Sequence, residues 1–180
     1  MEALSPSELL RAFPSGKRLS SADLRELIDA GTTLRLLEGS VFFDAGDRSD
    51  AAFLVAAGRV RIERMLESGQ RVPLGRLGRG HVVGDMGLIS GEARSASAVV
   101  EEEALVLRLD HAAYARLRDG AHPAALWLLG EIERRMSERI TGMYDRLARV
   151  AEDPRLIEDL PTETAVPLRW WERWVQRMRL

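Results

Sequence analysis

The stretch Gly80-His81-Val82-Val83-Gly84-Asp85-Met86-Gly87-Leu88-Ile89-Ser90-Gly91-Glu92-Ala93-Arg94-Ser95-Ala96-Ser97 decides how this chain is read. Gly80, Gly84, Gly87 and Gly91 punctuate it, Asp85 directly follows a glycine, and Arg94 enters a strand nine residues after that carboxylate. Glycine tolerates left-handed backbone and leaves N–H groups uncovered, so Gly84 and Gly87 permit a tight path that can cradle an anion. The Arg94 guanidinium can add a charge-assisted, two-pronged contact to the same anion. Asp85 cannot help hold a phosphate, but its carboxylate can accept hydrogen bonds from a sugar hydroxyl. Together these residues suit a small phosphorylated sugar. An ordinary glycine-rich strand connection, with Arg94 as a structural ion-pair partner, is the competing reading. Common nucleotide fingerprints do not decide between them: no Gly-Lys-Ser/Thr occurs, and Gly78-x-Gly80-x-x-x-Gly84 is one residue too long for G-x-G-x-x-G.

Upstream and downstream of this turn, residues 33–110 run in short apolar segments separated by Gly, Asp and Ser, the texture of a small sandwich or closed roll. The expected strands are Thr33–Leu37, Ser40–Asp44, Ala52–Ala57, Gly58–Met65, Arg71–Leu77, Ser95–Glu101 and Ala104–Asp110, with Ser68-Gly69 as a hairpin turn. In the fourth, Val60 and Ile62 oppose Arg59, Arg61 and Glu63, the alternation of a strand wet on one face. Glu101-Glu102-Glu103 reads as a solvated strand end. Two helices are expected before the strands, in 5–30, because Ser5-Pro6-Ser7-Glu8 and Ser20-Ser21-Ala22-Asp23 both place a capping serine three residues ahead of a carboxylate. Gly31 suits the stop of the second. After Asp110 the texture is helical again: His111 to Arg118 is one short helix, and Pro123 opens a long one to about Glu152. On the long helix Leu129, Ile132, Met136, Ile140, Met143, Leu147 and Val150 form one stripe, which predicts packing on the roll for part of its length and leaves a partner helix or dimer seam open for the rest.

The glycine-rich turn resembles the phosphate-binding cassette of the cyclic nucleotide-binding domain family, the module shared by catabolite-activator-type regulators, kinase regulatory subunits and gated channels. The family pattern, roughly F-G-E-(L/I)-(A/G)-L, a short loop and R-(S/T/A)-A, stands here as Val83-Gly84-Asp85-Met86-Gly87-Leu88 and Arg94-Ser95-Ala96. Flanking motifs agree in order: Phe42-Phe43-Asp44-Ala45-Gly46-Asp47, Ala52-Phe53-Leu54-Val55-Ala56-Ala57-Gly58-Arg59-Val60, and Leu77-Gly78-Arg79-Gly80. The likeness covers about residues 20–150. It implies a mainly β fold with flanking helices, a double-stranded, jelly-roll-like β-roll over 33–110 with N-terminal helices and a long C-terminal lid helix, the domain as a whole spanning 1–153. It further implies that Arg94 pairs with the cyclic phosphate of cAMP, that Ser95 and N–H groups near Gly87 and Leu88 bond it, and that Asp85 takes the ribose 2′-hydroxyl. Arg135, Arg139 and Thr141 are the lid candidates for the base. Ser95 suits cAMP and leaves cGMP open. Asp85 stands where the family usually has Glu, one methylene shorter, Val83 replaces the common aromatic, and Ala93 the common proline.

A formal charge of -2 and pI near 6.0 give no global field toward nucleic acid or anionic lipid, and the residues beyond Asp153 are too few for a helix-turn-helix domain, so DNA binding is not expected. Zero cysteines exclude disulfides and thiolate metal sites and agree with a reducing cytoplasm. His81, His111 and His122 are scattered and lack the H-x-H of metal-binding rolls, so no enzyme is expected. The remaining stretch, 154–180, reads as a linker with Pro154, Pro161 and Pro167, followed by a helix over 168–180 holding Trp170, Trp171, Trp174 and four arginines. Packing on the roll or a dimer mate, docking to a protein partner, and attachment to a membrane surface are all open for it. The expectation is a stand-alone cyclic-nucleotide sensor signalling through its long helix to an unidentified effector or dimer mate; the alternative is a nucleotide-independent scaffold or adaptor.

Overall fold

The computed structural model describes residues 4–66 and 68–152. The expected linker and Trp/Arg-rich helix of 154–180 lie outside the described residues. Helices α1 (Pro6–Ala12) and α2 (Ser21–Ala30), joined by a 3-10 turn at Pro14–Arg18, start as their sequences dictate. Ser5 and Ser20 each accept from the backbone N–H three residues on, while Glu8 and Asp23 reach back to the capping N–H, so both starts are complete capping boxes. Gly31 ends α2 in extended rather than left-handed backbone. Glycine is needed there for space, because a side chain would press on Leu107 and the carbonyl of Arg108.

Six strands follow: β1 (Thr32–Leu36), β2 (Val41–Phe43), β3 (Ala51–Met65), β4 (Arg71–Gly78), β5 (Val82–Val83) and β6 (Ser97–Asp110), with helix α3 (Asp85–Ser90) between β5 and β6. All pairings are antiparallel, in the order β1-β6-β3-β4, with β2 also on β6 and β5 on β3. Two pairs of expected strands are therefore single long strands. Ala52–Ala57 and Gly58–Met65 fuse into β3 because Gly58, at φ +87°, takes up a bulge rather than a turn. Its α-carbon lies against the Glu103 backbone, where no side chain would fit, and the partner strand β6 runs on unbroken beside it.

This joining moves the acidic run. Glu101, Glu102 and Glu103 are mid-strand in β6, not at a strand end, and meet Arg76 of β4 at 2.9 Å, Arg59 of β3 at 3.0 Å and Arg35 of β1 at 2.7 Å. Glu63 also departs from the expected wet face. It is buried beside Arg61 and Arg71, which both donate hydrogen bonds to it.

The roll has two cores. Ala52, Leu54, Leu107 and Leu109 face helices α1, α2, α4 (His111–Asp119) and α5 (Pro123–Glu152), while Ala51, Phe53, Val55, Ala104 and Val106 face the roll interior. Both faces of the first half of β3 are covered, which is why its sequence reads as a continuous apolar run. Ala124, Ala125, Leu128 and Ile132 seat the N-terminal half of α5 on the first core, with Met136 partly covered. Leu129, placed in the stripe by spacing, is 42% exposed, and Leu128 takes the buried position beside it. Farther along, Ile140, Met143 and Leu147 are exposed. Among the described residues, no helix is long and apolar enough to cross a membrane.

Candidate functional site

Within the glycine-rich turn, Asp85–Ser90 forms the short helix α3. Gly84 caps it at φ 77° and Gly91 ends it at φ 69°, both left-handed positions that favour glycine. Space adds a second constraint at Gly84, because a side chain there would collide with the Arg94 guanidinium. Gly87 has regular backbone but abuts Ser49, whose hydroxyl fills the volume a side chain would need. The glycines thus admit two buried polar groups behind the turn.

Arg94 is 6% exposed. Its Nη2 donates to the Ala51 carbonyl at 2.5 Å and its Nη1 to the Gly84 carbonyl at 3.1 Å, and its Cζ lies 4.0 Å from the centroid of the Phe43 ring. The nearest carboxylate that pairs with it, Asp50, is 3.7 Å away and makes its closer pair, 2.7 Å, with Arg108. Burial pulls the Arg94 pKa below the ordinary arginine value, and Asp50 and Asp47 oppose the shift. The buried Arg94 Nε and Ser49 Oγ have no hydrogen-bond partner. A buried cation held by neutral carbonyls, with a donor to spare, is electrostatically suited to an anion.

Gly84, Asp85, Met86, Gly87, Arg94, Ser95 and Ala96 line one cavity of about 90 Å³, together with Arg139 of α5. These are the residues the cassette predicts, with the exception of Leu88, whose side chain packs into the helix-side core. Asp85 is 6% exposed; its Oδ1 accepts the Met86 N–H at 2.9 Å, and its Oδ2 accepts Arg139 Nη2 at 2.7 Å. A second cavity of about 290 Å³ adjoins, lined by Leu77, His81, Val82, Asp85, Arg135, Glu138, Arg139 and Gly142. There Arg135 Nη2 donates to the Gly80 carbonyl at 2.8 Å, and Nη1 lies 3.5 Å from His81 Nε2. Burial and then the Arg135 charge lower the His81 pKa from 6.5, so the neutral ring donates from Nδ1 to the Gly78 carbonyl at 3.0 Å and presents an accepting Nε2 to Arg135.

Thr141 is not part of either cavity. Two residues beyond Arg139 it is turned some 200° around the helix, and it lines an outer groove with Glu133, Ser137 and Asp145 instead. Three contributors were missed by sequence reasoning: Phe43 beneath Arg94, Ser49 behind Gly87, and His81 beside Arg135. Phe43 comes from the end of β2 and Ser49 from the β2–β3 connection, both far from the cassette in sequence, and only the need for a side-chain-free Gly87 hinted at a close neighbour. Among the described residues no group of three or more His, Asp or Glu side chains could hold a metal ion.

An antiparallel β-roll thus carries a buried arginine beside a glycine-capped helical turn and a buried carboxylate, an arrangement chemically suited to an anion that also bears a hydroxyl. Residues 33–120 match the family described as cyclic nucleotide-binding domain. A cyclic AMP receptor protein of Thermus thermophilus is 42% identical over 72 residues, a stretch that is 40% of this chain and 33% of that protein, so the match spans a third of the relative's length. A cyclic nucleotide-binding domain from Methylobacillus flagellatus has the same fold, with TM-score 0.70 at 21% identity over 80% of this chain and 83% of that one. The catabolite activator protein of Thermus thermophilus superimposes with TM-score 0.54 at 26% identity, over 81% of this chain and 63% of that one.

Proposed function

We propose that this protein is a sensor that binds a cyclic nucleotide at Arg94 and transmits the event through α5. The observation that carries the reading is the buried Arg94 guanidinium, held by two backbone carbonyls in the wall of a cavity that Asp85 and Ser95 share. The cyclic phosphate pairs with Arg94, Ser95 and backbone N–H groups of the turn bond it, and Asp85 accepts the ribose 2′-hydroxyl. cAMP is the ligand favoured by the 42% identical stretch of the Thermus cyclic AMP receptor protein, with cGMP the comparison. Arg135 and Arg139 bring α5 to the same site, so a ligand that prefers one position of this helix shifts its population. The exposed Ile140, Met143 and Leu147 then offer the signal to a protein partner or a second copy of the chain. No role in DNA binding or catalysis is proposed.

Titration calorimetry with cAMP and cGMP tests the reading. Saturable binding to the native chain, lost in Arg94→Ala, supports it; no heat and no shift in melting temperature at millimolar nucleotide overturns it. That second result leaves the scaffold reading, which one observation favours: Arg94 and Asp85 already have protein partners of their own.

A further inference from the structure

On the side of α5 turned away from Arg139, Glu133, Ser137, Glu138, Thr141, Gly142 and Asp145 line a groove of about 590 Å³. Ser137, Thr141 and Gly142 are small and leave room for a ring, and exposed Ile140 and Tyr144 lie within one turn of them. Glu138 is paired with Arg134 at 2.6 Å, but Glu133 and Asp145 are exposed and have no ion-pair partner among the described residues. The segment 168–180 matches these features one by one. As a helix it places Arg169, Arg173 and Arg177 in one row and Trp170, Trp174 and Met178 in the row beside it, since both sets recur every four residues. Four arginines against Glu172 make it basic where the groove is acidic. Its helical length, about 20 Å, is close to the roughly 18 Å that separate Glu133 from Asp145 along α5.

We propose that residues 168–180 dock in this groove of their own α5, with the arginine row on Glu133 and Asp145 and the indole rings over Ser137, Thr141 and Gly142. Asp145 lies about 10 Å before the end of α5 at Glu152, and residues 153–167 can span roughly 50 Å, so the chain has ample length to double back antiparallel to the helix. Tethering through so short a linker holds the segment at an effective concentration on the order of millimolar. Contacts too weak to recruit a free partner then suffice. Indole rings supply large apolar area with a polar edge, which suits a groove that is half small side chains and half carboxylates. The inference does not depend on the nucleotide reading, because the groove faces away from Arg139 and the cavities it lines; docking leaves the Arg94 site open.

The chain has no cysteine, so Thr141→Cys in the full-length protein accepts a single nitroxide label in the groove. A nitroxide quenches tryptophan emission only at short range, and Trp127 lies about 21 Å back along α5, so quenching reports Trp170, Trp171 and Trp174. Their emission should be quenched to an extent that does not change on dilution. Glu133→Lys with Asp145→Lys should lower the docked-to-free ratio about three- to tenfold, the worth of two exposed ion pairs, and adding Arg173→Glu with Arg177→Glu should restore it. Absence of quenching overturns the proposal, as does a charge reversal that changes nothing. Quenching that fades on dilution assigns the groove to the tail of a second copy, and a blue shift of the tryptophans that needs phosphatidylglycerol vesicles assigns the segment to a membrane surface; either result overturns docking within the chain.

Discussion

Arg94 and Gly84 are fitted to each other: Arg94 Nη1 donates to the Gly84 carbonyl at 3.1 Å, and the same guanidinium occupies the space a side chain on residue 84 would need. Gly84→Ala meets both that collision and a φ of 77°. It should cost about 1–3 kcal/mol of stability in urea unfolding and displace Arg94 enough to abolish nucleotide binding. Native stability with native binding would mean that the guanidinium is free to relocate.

Arg94→Lys keeps a charge but loses the fork that reaches the Ala51 and Gly84 carbonyls and the flat face that lies on Phe43. Charge-assisted hydrogen bonds contribute about 1.5–3 kcal/mol each, so calorimetry should register a weakening of nucleotide binding of roughly tenfold or more. An affinity equal to the native chain would show that charge alone suffices.

Asp85→Glu restores the methylene that the family usually carries at this position. With Asp85 facing the ribose, the longer side chain should tighten cAMP on the order of tenfold, the worth of one well-made hydrogen bond. The same substitution should leave 2′-deoxy-cAMP unaffected. Equal gains for both nucleotides would remove Asp85 from the ribose.

The helix caps and the apolar runs of β3 and β6 were legible because both signals are local: a serine three residues ahead of a carboxylate, and continuous Val, Leu, Ala and Phe. The cassette was legible as spacing, and Gly84, Asp85, Met86, Gly87, Arg94, Ser95 and Ala96 do gather around one cavity. What sequence did not carry is depth in the third dimension. Gly58 looks like a strand break and is a bulge, because its role depends on Glu103 across the sheet. Phe43 at the end of β2 and Ser49 in the β2–β3 connection join the site only through the fold. Arg139 and Thr141 look equivalent as lid residues until helix register puts one over Asp85 and the other in the outer groove.

Glu63 supplies a pH dependence. Burial alone would raise its pKa, but hydrogen bonds from Arg71 and Arg61 and their charges outweigh it and hold the carboxyl below its ordinary 4.5. A carboxyl depressed in the folded state contributes its stability in full above the unfolded value and loses it as pH falls through the folded one. Glu63→Gln should therefore be less stable than the native chain at neutral pH, by about 1–3 kcal/mol. The gap should narrow below pH 4.5. A constant difference from neutral pH down to acid unfolding would count against the charge as its source.

The exposed side of α5 carries Ile140, Met143 and Leu147 at spacings of three and four, with Tyr144 beside them. An apolar stripe one helix long, attached to a folded roll, is the geometry in which a second copy packs knobs into holes. Leu147→Asp and Ile140→Asp put a charge into that seam without touching the buried Leu128 and Ile132 that seat the helix on the roll. If the protein self-associates through α5, sedimentation at micromolar concentration should show the native chain as a dimer and the double variant as a monomer, while nucleotide binding at Arg94 persists. A dimer undiminished in the double variant would place the contact elsewhere, and a monomeric native chain would leave this stripe to an effector.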